Sequence, residues 1–292
     1  MSAEWEKIRP WGRVARITAA DGVFWAKANR GDTRYEAPLV RLLGTLVPAH
    51  VVVPLAIDAE RGWTLSPDGG STLRATRAGS FDRAAWERML AEYAELQRSL
   101  EAHVPDLLAA GTPDQRPERV PEHLSALLAD AGIRAALGAE LAAVEETLPT
   151  VTAVCDELAA SGVRSTLQHD DLHDHNVLVR DGRYAFFDWG DSSVAYPFAT
   201  LLVALRVAAA AATVEAGDPL LERLRDAYLE PWTAEFDRAD LVRWARLAVT
   251  VTPVSRSLSY RRALVEADAA GLAEWGEGIH GWLTVLTEPP VF

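Results

Sequence analysis

Apolar and polar residues alternate through residues 5–28 in the two-residue period of a strand. Val14-Ala15-Arg16-Ile17-Thr18 and Val23-Phe24-Trp25-Ala26-Lys27-Ala28 read as a hairpin turning at Asp21-Gly22. An earlier strand is expected around Trp5–Arg9, set off by Pro10-Trp11-Gly12-Arg13. The period then lengthens. Between Thr33 and Leu46, the residues Leu39, Leu42, Leu43 and Leu46 share one helical face. Val51–Ile57 and Gly62–Leu65 are apolar runs split by a polar turn, which predicts two further strands. Pro67-Asp68-Gly69-Gly70-Ser71, rich in turn formers, is the strongest linker signal in the chain.

Beyond the linker the pattern becomes helical. Ser80 or Asp82 can cap a helix whose apolar stripe is Trp86, Met89, Leu90, Tyr93, Leu96 and Leu100. Asp106–Pro121 reads as loop. Helices are expected near 121–131, 134–161 (broken near Pro149), 197–215, 219–230, 237–264 and 266–286. One hairpin is embedded among them: Val177–Arg180, a turn at Asp181-Gly182, then Arg183–Phe187. The chain therefore divides into a β-rich part at 1–66, a linker at 67–72 and a mostly helical part at 73–292, an α+β arrangement. A crevice between two such lobes is a usual place for a ligand.

Composition narrows the class. The 292 residues are 49% hydrophobic and 24% charged, ordinary values for a soluble globular protein. The single cysteine, Cys155, lies in an apolar helical pattern, which predicts a core thiol and fits a reducing, cytoplasmic setting. The amino terminus lacks the order of a signal peptide. The longest apolar run, Phe198–Val214, carries Arg206 and is short for a membrane span, so it reads as a buried helix. A net charge of −13 argues against a nucleic-acid partner, which would need a basic face. Residues 1–66 carry +2 and the remainder −15. An acidic second part favours a cationic ligand or a metal. Lysine is nearly absent: Lys7 and Lys27 stand against 27 arginines.

The densest chemistry lies between His169 and Asp191. Three of the seven histidines and five aspartates flank the embedded hairpin there. With Arg180 opposite Arg183, Asn176 falls opposite Phe187 and His175 opposite Asp188. Asn176 and Asp188 then share the open end of the hairpin, roughly 5–8 Å apart by cross-strand spacing. An amide oxygen and a carboxylate are hard ligands suited to Mg²⁺. The register sets their proximity and not their direction. Asp171, five residues before Asn176, can face the same space as a proton acceptor. Carboxylates gathered at ~4 Å repel by about 4 kcal/mol per pair at an effective dielectric near 20, so a bound cation is the natural compensation. A different chemistry is open to His169, His173 and His175, which could hold Zn²⁺ and activate water as a hydrolase does. Three histidines on one short loop give that site awkward geometry, and it leaves Lys27 and the two-part layout unexplained.

His169-x-Asp171-Leu172-x-x-x-Asn176, an apolar strand and Phe187-Asp188-Trp189 together resemble the catalytic motif of the aminoglycoside phosphotransferase and choline kinase family. The resemblance runs outward to Lys27 as a phosphate-anchoring lysine, Glu36 as its ion-pair partner and Ser66–Gly70 as a hinge. It implies a two-lobed, protein-kinase-like fold and phosphoryl transfer from ATP or GTP to a small-molecule hydroxyl. By the same resemblance Asp171 would orient and deprotonate the acceptor, and Asn176 and Asp188 would hold Mg²⁺. Lys27 would contact the nucleotide phosphates, and His169 would tie the catalytic loop to the region of Asp188. The acidic second part points to a cationic acceptor such as an aminoglycoside or amino sugar, while relatives also phosphorylate choline, homoserine, sugars and macrolides. A kinase-like binding protein without activity is the remaining reading, and retention of Asp171, Asn176 and Asp188 argues against it. Four features differ from the common pattern. Asp170 replaces a glycine, His173-Asp174-His175 replaces His-Pro-Gly, the turn at Pro10–Arg13 has one glycine, and Thr200 replaces an aspartate.

Overall fold

Three strands open the chain as an antiparallel meander: β1 (Ser2–Arg9), β2 (Gly12–Ala19) and β3 (Gly22–Asn29). The computed structural model describes all 292 residues. Register pairs Ala19 with Gly22, so the second turn is Ala20-Asp21, one residue earlier than the Asp-Gly signal suggests. Gly22 instead opens β3 at φ 142°, a conformation that glycine adopts without steric cost. A 3₁₀ turn at Gly31–Thr33 leads into α1 (Glu36–Leu46), whose Leu39 and Leu43 are fully buried. With β4 (Ala56–Asp58) and β5 (Trp63–Pro67) the sheet has the order β1-β2-β3-β5-β4. The strand expected over Val51–Ile57 is thus cut to three residues. Pro54 cannot donate to a ladder. Val51 bridges instead to Phe186, whose N–H donates to His50 O at 2.8 Å. That half of the predicted strand stitches the two lobes together.

The linker ends in β6 (Ser71–Thr72), which pairs with β9 (Val177–Arg180) of the embedded hairpin. Gly70 permits this: at φ 96°, an added Cβ would lie 2.7 Å from Val179 O. After α2 (Leu73–Thr76) comes α3 (Arg83–Leu100). Its cap is Asp82, which accepts from Ala85 N at 3.1 Å, and the whole predicted stripe from Trp86 to Leu100 is buried. The segment read as loop contains α4 (Val104–Ala109) and β7 (Asp114–Gln115). α5 (Val120–Ala129) follows. The helix expected over 134–161 is three: α6 (Ala131–Leu137), α7 (Leu141–Glu146) and α8 (Leu148–Ala160). Gly138, at φ 52°, separates the first two, and Pro149 sits in the first turn of α8, where its missing N–H leaves nothing unpaired.

β8 (Thr166–Gln168), β9, β10 (Arg183–Phe186) and β11 (Ser193–Ala195) carry the chain past the cleft. Arg180 opposes Arg183, the register read from the hairpin pattern. α9 (Leu201–Ala212) is buried at every position from Leu201 to Leu205, which accounts for its apolar run. No helix is long and apolar enough to cross a membrane. α10 (Pro219–Leu229) and α11 (Arg238–Val251) precede α12 (Pro253–Ala263). The continuous helix expected over 237–264 breaks because Pro253 has no N–H and its ring clashes with the preceding turn. The last expected helix likewise divides into α13 (Ala269–Trp275) and α14 (Glu277–Thr284). The break at Pro253 matters for the site, because it aims α12 at the loop after β8. Cys155 is buried, and burial pushes its thiol up to about 12, as suits a packed core thiol.

Candidate active site

The loop between β8 and β9 carries the dense chemistry. His169 is fully buried, and its Nε2 lies 2.9 Å from Phe187 O. A carbonyl only accepts, so Nε2 carries the hydrogen. Burial pushes the imidazole below its usual range, keeping it neutral, and its ring sits 4.7 Å from that of Trp189.

Asp170 has a left-handed backbone, φ 64°. Glycine is the least strained residue there, and aspartate is tolerated because its short side chain bonds locally. Here Asp170 Oδ2 accepts from Ser255 Oγ at 2.6 Å and Oδ1 from Gln168 Nε2 at 3.0 Å. Burial pushes this carboxyl up to about 6, with Arg256 opposing. A carboxyl raised from ~3.9 in the unfolded chain contributes stability below that value and loses it as pH rises through about 6. The effect is on the order of 2–3 kcal/mol. The stability difference between Asp170→Asn and the parent is therefore expected to grow in favour of the variant across this window. Urea unfolding at pH 4 and pH 7 checks it, and parallel pH profiles would contradict it.

The same pocket accommodates Thr200. Its Oγ1 donates to Gln168 Oε1 at 2.8 Å and accepts from Gln97 Nε2 at 3.3 Å, while Tyr228 OH donates to Gln97 Oε1. A neutral, fully buried network thus anchors the loop where the common pattern has an aspartate.

Asp171 and Asn176 meet directly. Asn176 Nδ2 donates to Asp171 O at 2.9 Å and to Asp171 Oδ2 at 3.0 Å, which leaves the amide Oδ1 as the group Asn176 can offer a ligand. His173 Nε2 stands 3.4 Å from Asp171 Oδ2, and Arg256 Nη2 lies 3.5 Å from Oδ1. Burial works against ionisation of Asp171, but the bond with His173 and the charge of Arg256 outweigh it and hold the carboxyl well below its usual range.

Asp188 follows β10 at φ 66°, in the left-handed region that aspartate visits more readily than most residues. This single dihedral turns the chain so that Asp188 faces Lys27 of β3. Lys27 Nζ lies 2.5 Å from Asp188 Oδ1 and 2.6 Å from Glu36 Oε2. Burial alone would lower the lysine, yet the two carboxylates raise it above its usual range. Lys27 is also the main reason Asp188 stays ionised below the usual range. Glu36, the first residue of α1, is buried and accepts from Asn29 Nδ2 at 2.6 Å and from Trp189 N at 3.0 Å. Gly190 makes room for it, since a Cβ there would lie 3.2 Å from Glu36 Oε2.

Lys27, Glu36, Asp171, Asn176 and Asp188 all line one cleft between the lobes, of about 810 Å³, while His169 stands behind it. Ser66–Gly70, at the end of β5 and the turn after it, close one side. His173 and His175 also line the cleft, but His169 turns away to Phe187 O. No group of three or more His, Cys, Asp or Glu side chains is arranged to hold a metal, and the three histidines of the loop do not converge.

The linear sequence does not reveal Arg256. It is buried on α12, donates to Asp170 O at 2.6 Å and lies 3.4 Å from Asp191 Oδ2. Ser259 Oγ donates to Asp191 Oδ1, and Arg262 Nη2 donates to Asp191 O at 3.1 Å. Asp191 is therefore committed to α12. The available signal was Pro253-Val-Ser-Arg-Ser-Leu-Ser, a helical segment with no apolar stripe, which in a core implies a buried polar network.

An antiparallel N-lobe, a helical C-lobe and a charged interlobe cleft with this order of elements define a small-molecule phosphotransferase of the protein-kinase-like fold. The chain belongs to the phosphotransferase enzyme family, which matches residues 14–244. No curated protein sequence matches it. Among solved structures, a macrolide 2′-phosphotransferase from Brachybacterium faecium is 20% identical with a TM-score of 0.56, covering 95% of this chain and 92% of its own. Plasmodium vivax ethanolamine kinase is 11% identical with a TM-score of 0.65, covering 98% and 81%. The choline kinase of Streptococcus pneumoniae is 14% identical with a TM-score of 0.60, covering 97% and 93%. These likenesses carry the two-lobed α+β fold.

Proposed function

We propose that the protein transfers the γ-phosphate of ATP or GTP, with Mg²⁺, to a hydroxyl of a small molecule. The lobes would divide at 1–66 and 73–292 about a hinge at 67–72. The carrying observation is the Lys27 ammonium held between Glu36 and Asp188, beside the bonded pair Asp171–Asn176.

Asn176 Oδ1 and the 41%-exposed side chain of Asp188 fit Mg²⁺, being hard oxygens facing a cleft with room for a nucleotide. Mg²⁺ there would offset phosphate charge. Lys27 would hold the α- and β-phosphates while Glu36 fixes its direction. Phosphoryl transfer passes through a loose transition state, so positioning dominates over covalent chemistry. Asp171 suits that demand. A carboxylate held below its usual range is a weak base, so it aligns the acceptor O–H and takes the proton as the new P–O bond forms. His169, bonded to Phe187 O, would keep the catalytic loop in step with Asp188.

A cationic amino sugar or aminoglycoside is the acceptor favoured by the −15 charge of residues 67–292. One observation favours a second reading, a neutral or singly charged metabolite. Arg256 already engages Asp171 and Asp191, so these cleft carboxylates are not free to receive several ammonium groups. A coupled assay of nucleoside diphosphate release across aminoglycosides, amino sugars, amino alcohols and neutral sugars, with ATP and with GTP, separates the two. Activity confined to polycations would remove the second reading. No acceptor-dependent turnover with either nucleotide would remove the phosphotransferase assignment for this site.

A further inference from the structure

Lys7 is the only lysine besides Lys27, and the sheet aligns the two. Lys7 opposes Val14, Val14 opposes Lys27, and Lys27 opposes Thr64. Residues directly opposite in an antiparallel ladder share a face. All four line the cleft, whereas the next row, Ile8, Arg13 and Ala28, does not. Two strand spacings put Lys7 and Lys27 about 10 Å apart at Cα, on either side of Val14.

This alignment depends on a bulge. Trp5 opposes Ala15 but Lys7 opposes Val14, so Glu6 is the extra residue. In an unbroken register Lys7 would oppose Arg13 and turn to the other face, whereas the bulge sets both Glu6 and Lys7 along the cleft. Bulges re-aim side chains in this way beside functional sites.

The charge balance gives the bulge a purpose. Lys27 is already shared between Glu36 and Asp188. Lys7 is exposed on an edge strand, and no hydrogen bond or ion pair engages its ammonium. Lys7 lines the same cleft as Asp188, on the side where Lys27 meets the two carboxylates. The turn above that side, Pro10-Trp11, is short of backbone donors. Pro10 has no N–H, so the turn offers one donor fewer than a glycine-rich turn would.

We propose that Lys7 is a second phosphate-contacting residue, whose ammonium meets the phosphate chain of the bound nucleotide in place of the N–H groups of a glycine-rich turn. The inference rests on the nucleotide reading of the cleft given above.

The test is calorimetric titration of the full chain with Mg²⁺ and three ligands: the nucleoside, its diphosphate and a non-hydrolysable triphosphate analogue. The adenine and guanine series are both run. Lys7→Met is expected to weaken the triphosphate analogue roughly 3- to 10-fold, less at high salt, and to leave the nucleoside unchanged. Lys7→Arg should retain most of the affinity. Arg13→Met, which removes the same charge from the opposite face, should bind like the parent. Equal triphosphate affinity for Lys7→Met and the parent would overturn the role of Lys7. So would equal losses for the nucleoside and triphosphate, or the same loss in Arg13→Met. Failure of the parent itself to bind any of the ligands would instead overturn the nucleotide reading, and Lys7 with it.

Discussion

Asp171→Asn is expected to lower kcat by roughly 10²–10⁴ while nucleotide affinity changes little. Asparagine is nearly isosteric, so the loop should keep its shape. Its anchors are elsewhere: His169 on Phe187 O, Asp170 on Ser255 and Gln168, and Arg256 on Asp170 O. What disappears is the charge that accepts the hydroxyl hydrogen. The bond from Asn176 Nδ2 can still find an amide oxygen, so the metal side of the cleft is spared. The measurement is single-turnover phosphoryl transfer on the best acceptor from the screen, with nucleotide affinity determined in parallel. Undiminished turnover would show that Asp171 is not the acceptor-aligning group. A matched loss of nucleotide binding would show that it belongs to the metal site instead.

Asp188→Asn is expected to remove the Mg²⁺ dependence of nucleotide binding and to cost about 10²-fold or more in kcat/KM. Metal-borne charge stabilisation of this kind is worth several kcal/mol. Asparagine is the informative substitution because φ is 66°, where alanine would add strain that asparagine avoids. The fold should survive, since Lys27 keeps Glu36 and Trp189 N keeps its bond to Glu36 Oε1. Titrating Mg²⁺ at fixed nucleotide checks the result. A variant whose nucleotide affinity still rises with Mg²⁺ as in the parent would refute metal binding by Asp188.

The sequence was most legible where periodicity and chemistry coincided. The stripe of α3 is buried because residues three and four apart share a helical face. The 180–183 hairpin register follows from a two-residue turn between apolar runs. Boundaries at proline were less legible. Pro54 and Pro253 sit inside patterns whose periodicity continues across them. Whether a proline kinks or ends an element depends on what the neighbouring backbone groups can bond instead. For Val51 the alternative was Phe186, 135 positions away.

By itself, then, the sequence determined a β-rich N-terminal part, a glycine-rich linker, a helical remainder and the spacing of Asp171, Asn176 and Asp188. Those are local properties, set by side-chain periodicity, turn chemistry and hairpin register. Only the tertiary structure decided which way these groups face. The left-handed backbone at Asp188 brings its carboxylate to Lys27, and a bulge at Glu6 turns Lys7 into the same row. The break at Pro253 delivers Arg256 to Asp171 and Asp191, taking up carboxylates that the net charge alone had suggested were free for a cationic ligand. Direction and charge pairing depend on contacts between segments remote in the chain, which no local pattern encodes.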